Sequence, residues 1–421
     1  MSQLSFIDAR ILMERLDELG RCTEEPGRIT RPYGSAALRH ARHLVAGWMH
    51  GAGMSTRVDA VGNLVGRYES QDPAAKTLVT GSHIDAVRNA GRYDGPLGAL
   101  LPITCIERLR RDGQRLPFSV EVVAFIDEEG LRFRSSFLGS GVYAGTFDEA
   151  DLMLTDSDGT TLADAIRDFG GDPTALRSAA QTPDDLLGYL EVHIEQGPVL
   201  EAAGEPLGIV TSIQGQSRGS LALDGKAGHA GTVPMQLRRD ALTGAAAIVL
   251  MIEEVARAAD GLVATVGQVA VEPGASNVIP SRAVLSYDLR HSEDDIRLAS
   301  LAEIDRQANV IAAERSLVMT HTRLTPISAV PCDLRLQEYL ASAVRSLGLT
   351  ELRMPSGAGH DAMSLAALAP IAVLFVRCAG GISHNPAEAI TDHDAEMAIR
   401  AVTALLHDLA NPQSTTASLP R

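Results

Sequence analysis

A chain of 421 residues exceeds one ordinary domain, so two domains, or one domain carrying a large insertion, are expected. Hydrophobic residues at 45% and charged residues at 21% suit a globular protein with a sizeable core, and aromatics at only 4% make that core aliphatic. A formal net charge of -16 excludes the basic footprint of a nucleic-acid-binding protein.

The four cysteines, Cys22, Cys105, Cys332 and Cys378, form no C-x-x-C pair, so neither a disulfide framework nor a thiolate zinc site is indicated. A cytoplasmic setting is the expectation. Charges at Asp8, Arg10, Glu14, Arg15, Asp17 and Glu18 break the first apolar runs and leave no secretory core. The apolar run 365–376 is too short to span a membrane and contains Pro370, so no membrane partner is expected.

In chain order, Leu4, Ile7, Ile11, Leu12, Leu16 and Leu19 recur at helical spacing and predict an amphipathic helix over 4–19, stopped by Gly20. A helix over 36–51 and a strand pair over 55–68, turning at Gly62, follow. Residues 78–81 end a buried strand. In its continuation His83 and Asp85 sit two apart, so extended backbone points both to one face. That pairing suits a metal-binding imidazole with a carboxylate behind it. Asp94 lies among Gly91, Gly95 and Gly98, just ahead of a helix over 97–109, where negative charge is favoured. Taken alone, the stretch is equally ordinary strand and turn chemistry.

The β-branched run 118–126 reads as a strand ending in Asp127-Glu-Glu-Gly130, and the alternation of strand and helix predicts a mixed or parallel α/β sheet with functional loops at strand carboxyl ends. The polar segment 150–190 reads as surface decoration. Tyr189-Leu-Glu-Val-His-Ile-Glu-Gln-Gly197 is a strand in which Glu191, His193 and Glu195 share one face. From about 213 the pattern changes. A strand over 217–223, a tight loop at His229-Ala-Gly-Thr-Val-Pro234, helices over 240–258 and 294–313, and strands over 262–271 and 282–290 form one block. They predict a separate α+β unit of ferredoxin-like split βαβ type, 213–328, inserted into a first domain of 1–212 and 329–421. That first domain resumes with a helix over 334–347, a strand over 370–376 and a helix over 392–409, and the tail after Pro412 reads as disordered.

His83 with Asp94, Glu128 with Glu129, His193, and Ser383-His-Asn-Pro386 set imidazoles and acids beside glycines. Such a mixed nitrogen and oxygen donor set suits zinc, manganese or cobalt, and holds more ligands than one ion needs. Asp94 is the candidate bridge, because one carboxylate can give an oxygen to each of two ions. Adjacent side chains diverge on extended backbone, so one of the pair can bind metal while its neighbour faces substrate, and we assign Glu129 to metal and Glu128 to proton transfer. A solvated acidic turn at 127–130 and a core histidine at 193 are the plain alternatives.

Gly81-Ser-His-Ile-Asp85, Tyr93-Asp-Gly95, Asp127-Glu-Glu-Gly130, His193-Ile-Glu-Gln-Gly-Pro198, Ala227-Gly-His-Ala-Gly-Thr-Val-Pro-Met235, Ser276-Asn-Val-Ile-Pro280, Ser356-Gly-Ala-Gly-His-Asp361 and Gly380-Gly-Ile-Ser-His-Asn-Pro-Ala-Glu388 together resemble the amidase branch of the M20 metallopeptidase-like hydrolases. That branch holds allantoate amidohydrolases, N-carbamoyl-L-amino acid hydrolases and β-ureidopropionases. The resemblance covers roughly residues 10–410, with the motifs in family order. It implies a two-metal centre of His83, Asp94, Glu129, His193 and His384, bridged by Asp94, with Glu128 as general base and Asp85 behind His83. A histidine at 193 points away from the peptidase branch, where a carboxylate is expected. The inserted unit resembles the family's lid and dimerisation domain, which implies a homodimer with His229 reaching toward a catalytic site.

The same resemblance implies a small ureido acid as substrate. Arg290 can bind its carboxylate through two parallel N–H donors. Asn277 would add an amide contact, Gln196 would read the ureido group, and the loop of Gly359 and His360 would hold a substrate oxygen. An ion pair for Arg290, a turn role for Asn277 and mutual bracing of His360 and Asp361 are the plain alternatives. One departure is Ala90, where relatives read Gly-Gly before the Tyr-Asp-Gly turn. Residues 228–235 and 374–378 are most similar to allantoate amidohydrolases. The expected reaction is therefore cleavage of the terminal C–N bond of allantoate, with an N-carbamoyl-L-amino acid or β-ureidopropionate as alternative substrate and a non-catalytic ligand-binding protein as the remoter reading.

Overall fold

Long β-branched runs that bury every side chain need cover on both faces of a sheet, and the strands Thr77–His83, Ser119–Phe125 and Ile371–Val376 are buried at all positions. The computed structural model describes residues 6–72 and 74–411. Its chain divides into two compact units, Met1–Thr211 with Cys332–Arg421, and Ser212–Pro331.

In the first unit the strands run Leu207–Ile213, Ile371–Val376, Leu186–Ile194, Thr77–His83, Ser119–Phe125, Leu64–Tyr68 and Ser55–Val58 in that order, and the short strands Val330–Pro331 and Arg353–Ser356 also pair with Leu207–Ile213. The four central strands are mutually parallel, and the outer ones pair antiparallel, so the sheet is mixed. Helices Ile7–Leu19, Pro96–Arg111 and Asp392–Ala410 pack their apolar faces into its core through Leu12, Leu16, Leu101, Ile103, Ile399 and Val402. Pro96 opens its helix at the first position, where no N–H bond is lost, and Arg108, Arg110 and Arg111 meet the negative end of its dipole. Thr391 caps the last helix by accepting from the Asp394 N–H.

The second unit reads strand, helix, strand, strand, helix, strand. Its sheet runs Val318–Arg323, Gly215–Asp224, Arg282–His291 and then the edge segments Val263–Thr265 and Val269–Glu272, antiparallel throughout. This is the ferredoxin-like order, with Ala241–Ala258 and Asp294–Glu314 as the two helices. Alternate residues Ala283, Leu285, Tyr287 and Leu289 enter the core, as period-two patterning requires.

Two readings need correction. The run 262–271 is not one strand: the register slips by one residue between the pairs Thr265↔Asp288 and Val269↔Leu285, a bulge in which the Ser286 hydroxyl takes the Gln268 N–H. The strand through residues 189–197 stops at Ile194. The Glu195 N–H still bonds the Val376 carbonyl, but its side chain turns from that face and accepts from the Val199 and Leu200 N–H groups at the start of the next helix. Leu4 and the tail after Pro412 lie outside the described residues. No helix of the described residues is long and apolar enough to cross a membrane.

Candidate metal centre

Parallel strands place their carboxyl ends together, and this end of the first unit's sheet collects the acids and imidazoles. His83 closes Thr77–His83, His193 is the penultimate residue of Leu186–Ile194, Glu128 and Glu129 follow Ser119–Phe125, and His384 follows Ile371–Val376. The rings of His83 and His193 lie 5.9 Å apart. Between them is Asp94, with Oδ1 3.3 Å from His193 Nε2 and Oδ2 3.0 Å from His384 Nε2. His384 Nε2 also lies 3.3 Å from Glu129 Oε1.

Ligand atoms of His83, Asp94 and His193 lie within 4.8 Å of one another, as do those of Asp94, Glu129 and His384. Asp94 belongs to both groups. The approach is close enough to demand glycine next door: Gly95 has φ 83°, and a Cβ there would sit 2.4 Å from the His83 ring.

The ligand orientations are held from behind. The Asp85 carboxylate lies 3.5 Å from His83 Nδ1, and its two oxygens also accept from the Glu128 and Glu129 N–H groups at 3.1 and 3.2 Å. One carboxylate thus fixes an imidazole and the acidic loop. His193 Nδ1 donates to the Ile194 carbonyl at 2.9 Å, an arrangement that leaves Nε2 as the lone-pair nitrogen facing Asp94. Glu191, the polar residue two before it, is fully buried and accepts from the Ser82 hydroxyl at 2.7 Å and the Ala362 N–H at 2.9 Å; burial raises it to about 7.

Other sequence assignments resolve differently. Gln196 directs its amide N–H group to Asp94 and Ser383 at 3.1 Å, so in this structure it holds the carboxylate. His360 is buried with Nε2 2.7 Å from the Ser356 hydroxyl, its ring edge-on to His193 at 4.6 Å, and burial keeps its pKa well below the usual value. Asp361 does not brace it: no hydrogen bond among the described residues joins the two side chains, and the polar neighbour of the buried Asp361 carboxyl is the Ser140 hydroxyl. Gly359 packs against Phe137, whose ring an added Cβ would meet at 2.9 Å.

In the second unit, His229 is exposed on the short strand Gly228–His229 and accepts the Gly231 N–H. Exposed Asn277 accepts the Ala230 N–H through its backbone carbonyl, and Arg290 forms a two-point ion pair with Asp288.

Sequence reasoning missed Glu388. Its Oε1 accepts from the Tyr93 and Asp94 N–H groups at 2.7 and 3.1 Å and so anchors the loop that carries Asp94. Only its place in the Ser383-His-Asn-Pro-Ala-Glu388 stretch pointed to it. Three non-glycine residues around the centre, Asp127, Gln196 and His384, adopt left-handed backbone with φ of 56, 57 and 55°. Such strain concentrates where side-chain placement matters more than backbone comfort.

Electrostatically the centre has more acids than imidazoles. Burial raises Glu128 well above the carboxylate range; His83 opposes this, and Glu129, Asp361 and Asp85 add to it. Asp94 goes the other way: burial is overcome by His384, His193 and His83, and it stays below that range. Asp85, Asp94, Glu128 and Glu129 against three imidazoles make a donor set that a pair of divalent cations would neutralise.

A profile described as peptidase family M20/M25/M40 matches residues 79–408. Over 405 residues the chain is 41% identical to an N-carbamoyl-L-amino acid amidohydrolase of Geobacillus stearothermophilus, covering 96% of this chain and 99% of that one. Over 423 residues it is 41% identical to an allantoate deiminase of Arabidopsis thaliana, covering 93% and 81%. A crystal structure of an amidase of the hydantoinase/carbamoylase family from Burkholderia multivorans matches with a TM-score of 0.89 at 32% identity, over 94% and 97% of the two chains. By profile, by relatives along nearly its whole length and by fold, the chain belongs to peptidase family M20/M25/M40, among its amidohydrolases.

Proposed function

We propose that the protein hydrolyses the terminal C–N bond of a linear ureido acid, with allantoate as substrate. The observation that carries this reading is the position of Asp94, one carboxylate facing His193 on one side and His384 on the other, with a Glu128 oxygen within 4.8 Å of ligand atoms of His83 and Glu129. His83, Asp94 and His193 would hold one divalent ion and Asp94, Glu129 and His384 a second, of manganese, zinc or cobalt. Ions so bound polarise a carbonyl and lower the pKa of water.

The chain's own groups supply the rest. Glu128 takes the proton of the attacking water and passes it to the departing nitrogen. His229, from the same subunit or a partner, stabilises the charge that develops on the carbonyl oxygen. Ammonia leaves, and the carbamate left behind loses carbon dioxide. Arg290 and Asn277 take the substrate carboxylate, and the loop of Gly359 and His360 holds a ureido oxygen. Gln196 reads the ureido group while holding Asp94. We ascribe the roles of lid and homodimer contact to the inserted unit, about residues 213–328, and place the enzyme in the cytoplasm.

A second reading, hydrolysis of an N-carbamoyl-L-amino acid, is favoured by the 41% identity to an enzyme of that name. It needs the same centre and carboxylate anchor but an apolar side-chain pocket. Ammonia release by manganese- or zinc-reconstituted protein separates the two, using allantoate, N-carbamoyl-L-amino acids and N-carbamoyl-β-alanine at equal concentration. Preference for allantoate supports the first reading and preference for a carbamoyl amino acid the second. Release from none of them would sink both.

A further inference from the structure

The second unit carries a polar cluster of which the scheme above uses only one member. Gln216 and Arg218 are two apart on Gly215–Asp224, and Asp288 and Arg290 are two apart on Arg282–His291, so each pair projects to one face of the sheet. The antiparallel register sets Asp288 opposite Arg218 and Arg290 opposite Gln216, which makes all four neighbours. Because Tyr287 and Leu289 enter the core, the four stand on the face away from it.

Asp288 is the hub. Its oxygens accept from Gln216 Nε2 at 3.3 and 3.1 Å, from Arg218 Nε at 3.0 Å, and from Arg290 Nε and Nη2 at 3.1 and 2.9 Å. Half-burial works against its charge, yet the hydrogen bonds from Arg290 and then Arg218 hold it below the carboxylate range, so it is ionised at neutral pH.

Two guanidinium groups thus share the one Asp288 carboxylate, in a chain whose formal net charge is -16. Packing does not require this arrangement, since the Arg218 side chain is 50% exposed. Only its Nε reaches Asp288, and among the described residues its two terminal Nη groups have no partner. They present a planar two-donor edge beside a second, fixed guanidinium, which is geometry that matches a carboxylate.

We propose that Arg218 is a second arm for the substrate carboxylate alongside Arg290, and that Asp288 is the positioning residue that sets the two guanidinium groups side by side. The proposal rests on the ureido-acid reading. Its test is the steady-state kinetics of wild type, Arg218→Ala and Arg290→Lys on allantoate and N-carbamoylglycine, each beside its uncharged carboxamide. Arg218→Ala should raise KM for the acids about tenfold, as loss of one charge-assisted contact does, with kcat within about twofold and KM for the carboxamides unchanged. A half-exposed side chain can be truncated without loss of the fold, which a thermal melt checks.

Unchanged KM for the acids in Arg218→Ala, with a raised KM in Arg290→Lys, overturns the assignment of Arg218 alone. If neither variant changes KM, the carboxylate is bound elsewhere, and both arginines lose their role while ureido hydrolysis stands. A KM raised equally for acid and carboxamide marks a structural role and refutes the proposal. No turnover of any ureido acid by wild type overturns the underlying reading and this assignment with it.

Discussion

Truncating Glu388 to Ala should loosen the loop that carries Asp94, whereas Glu388→Gln should keep it in place. Glu388 is buried, and its Oε1 is the acceptor for two backbone N–H groups, those of Tyr93 and Asp94. Alanine leaves both donors without a partner. At about 1–3 kcal/mol for each buried unsatisfied donor, the loss is about 2–6 kcal/mol. Glutamine retains a carbonyl oxygen in the same place.

The two variants also differ in pH dependence. Burial and then the nearby Asp94 raise Glu388 from 4.5 to about 7. A folded-state pKa above the unfolded one means that the folded protein binds the extra proton between about pH 4.5 and 7, so stability falls as pH rises through that window. At roughly 1.4 kcal/mol per pKa unit the effect is at most about 3.5 kcal/mol. Glu388→Gln has nothing to titrate and should gain on wild type by up to that amount between pH 5 and pH 8. Urea unfolding of chelator-treated wild type and both variants at the two pH values measures it. Equal stability of the Ala and Gln variants, or a wild type that gains on Glu388→Gln at pH 8, would refute the reasoning.

Three further outcomes are expected. Glu128→Gln should lower kcat by roughly 10²–10⁴-fold with metal content by elemental analysis unchanged, and near-normal turnover would remove Glu128 as the base. Gly95→Ala forces a Cβ to within 2.4 Å of the His83 ring, so zinc affinity by calorimetry should fall by about tenfold or more; an unaltered affinity would mean that His83 is not a ligand. Dialysis against a chelator should abolish ammonia release and lower the thermal midpoint, with both restored by manganese or zinc, because the acids of the centre then lose their counter-charge. Full activity in protein shown by analysis to be metal-free would rule out a metal-dependent mechanism.

What the sequence disclosed and what it hid follow from the range of the interactions. Strand and helix alternation and the glycines around Asp94 are local, and the run of residue types reveals them. The metal-binding residue types were equally visible, since His83, Asp94, His193 and His384 sit in short runs of unusual composition. Their mutual support was not. Glu388 meets Asp94 across 294 residues and Ser82 meets Glu191 across 109, distances over which no periodicity operates. The misplaced Glu195 has a local cause: Gly197 and Pro198 end the strand early and turn Glu195 into the acceptor for the next helix. Gln196 illustrates a further limit, because an amide next to a candidate metal ligand reads equally well as a substrate contact or as support for Asp94. Only the 3.1 Å distances distinguish the second role.

The strand Ile371–Val376 sits inside the sheet, between Leu186–Ile194 and Leu207–Ile213, yet it is made only after the whole inserted unit. During synthesis, therefore, two apolar strands wait with unpaired backbone edges while residues 212–331 emerge and pair among themselves. Such edges template aggregation, and long-range pairing of this kind is slow. The nascent chain should lean on chaperones in this interval, and a ribosome-bound fragment ending before residue 371 should expose the edges that the complete protein buries. His384 comes off the ribosome later still, so the full set of candidate metal ligands assembles only once the sheet has closed.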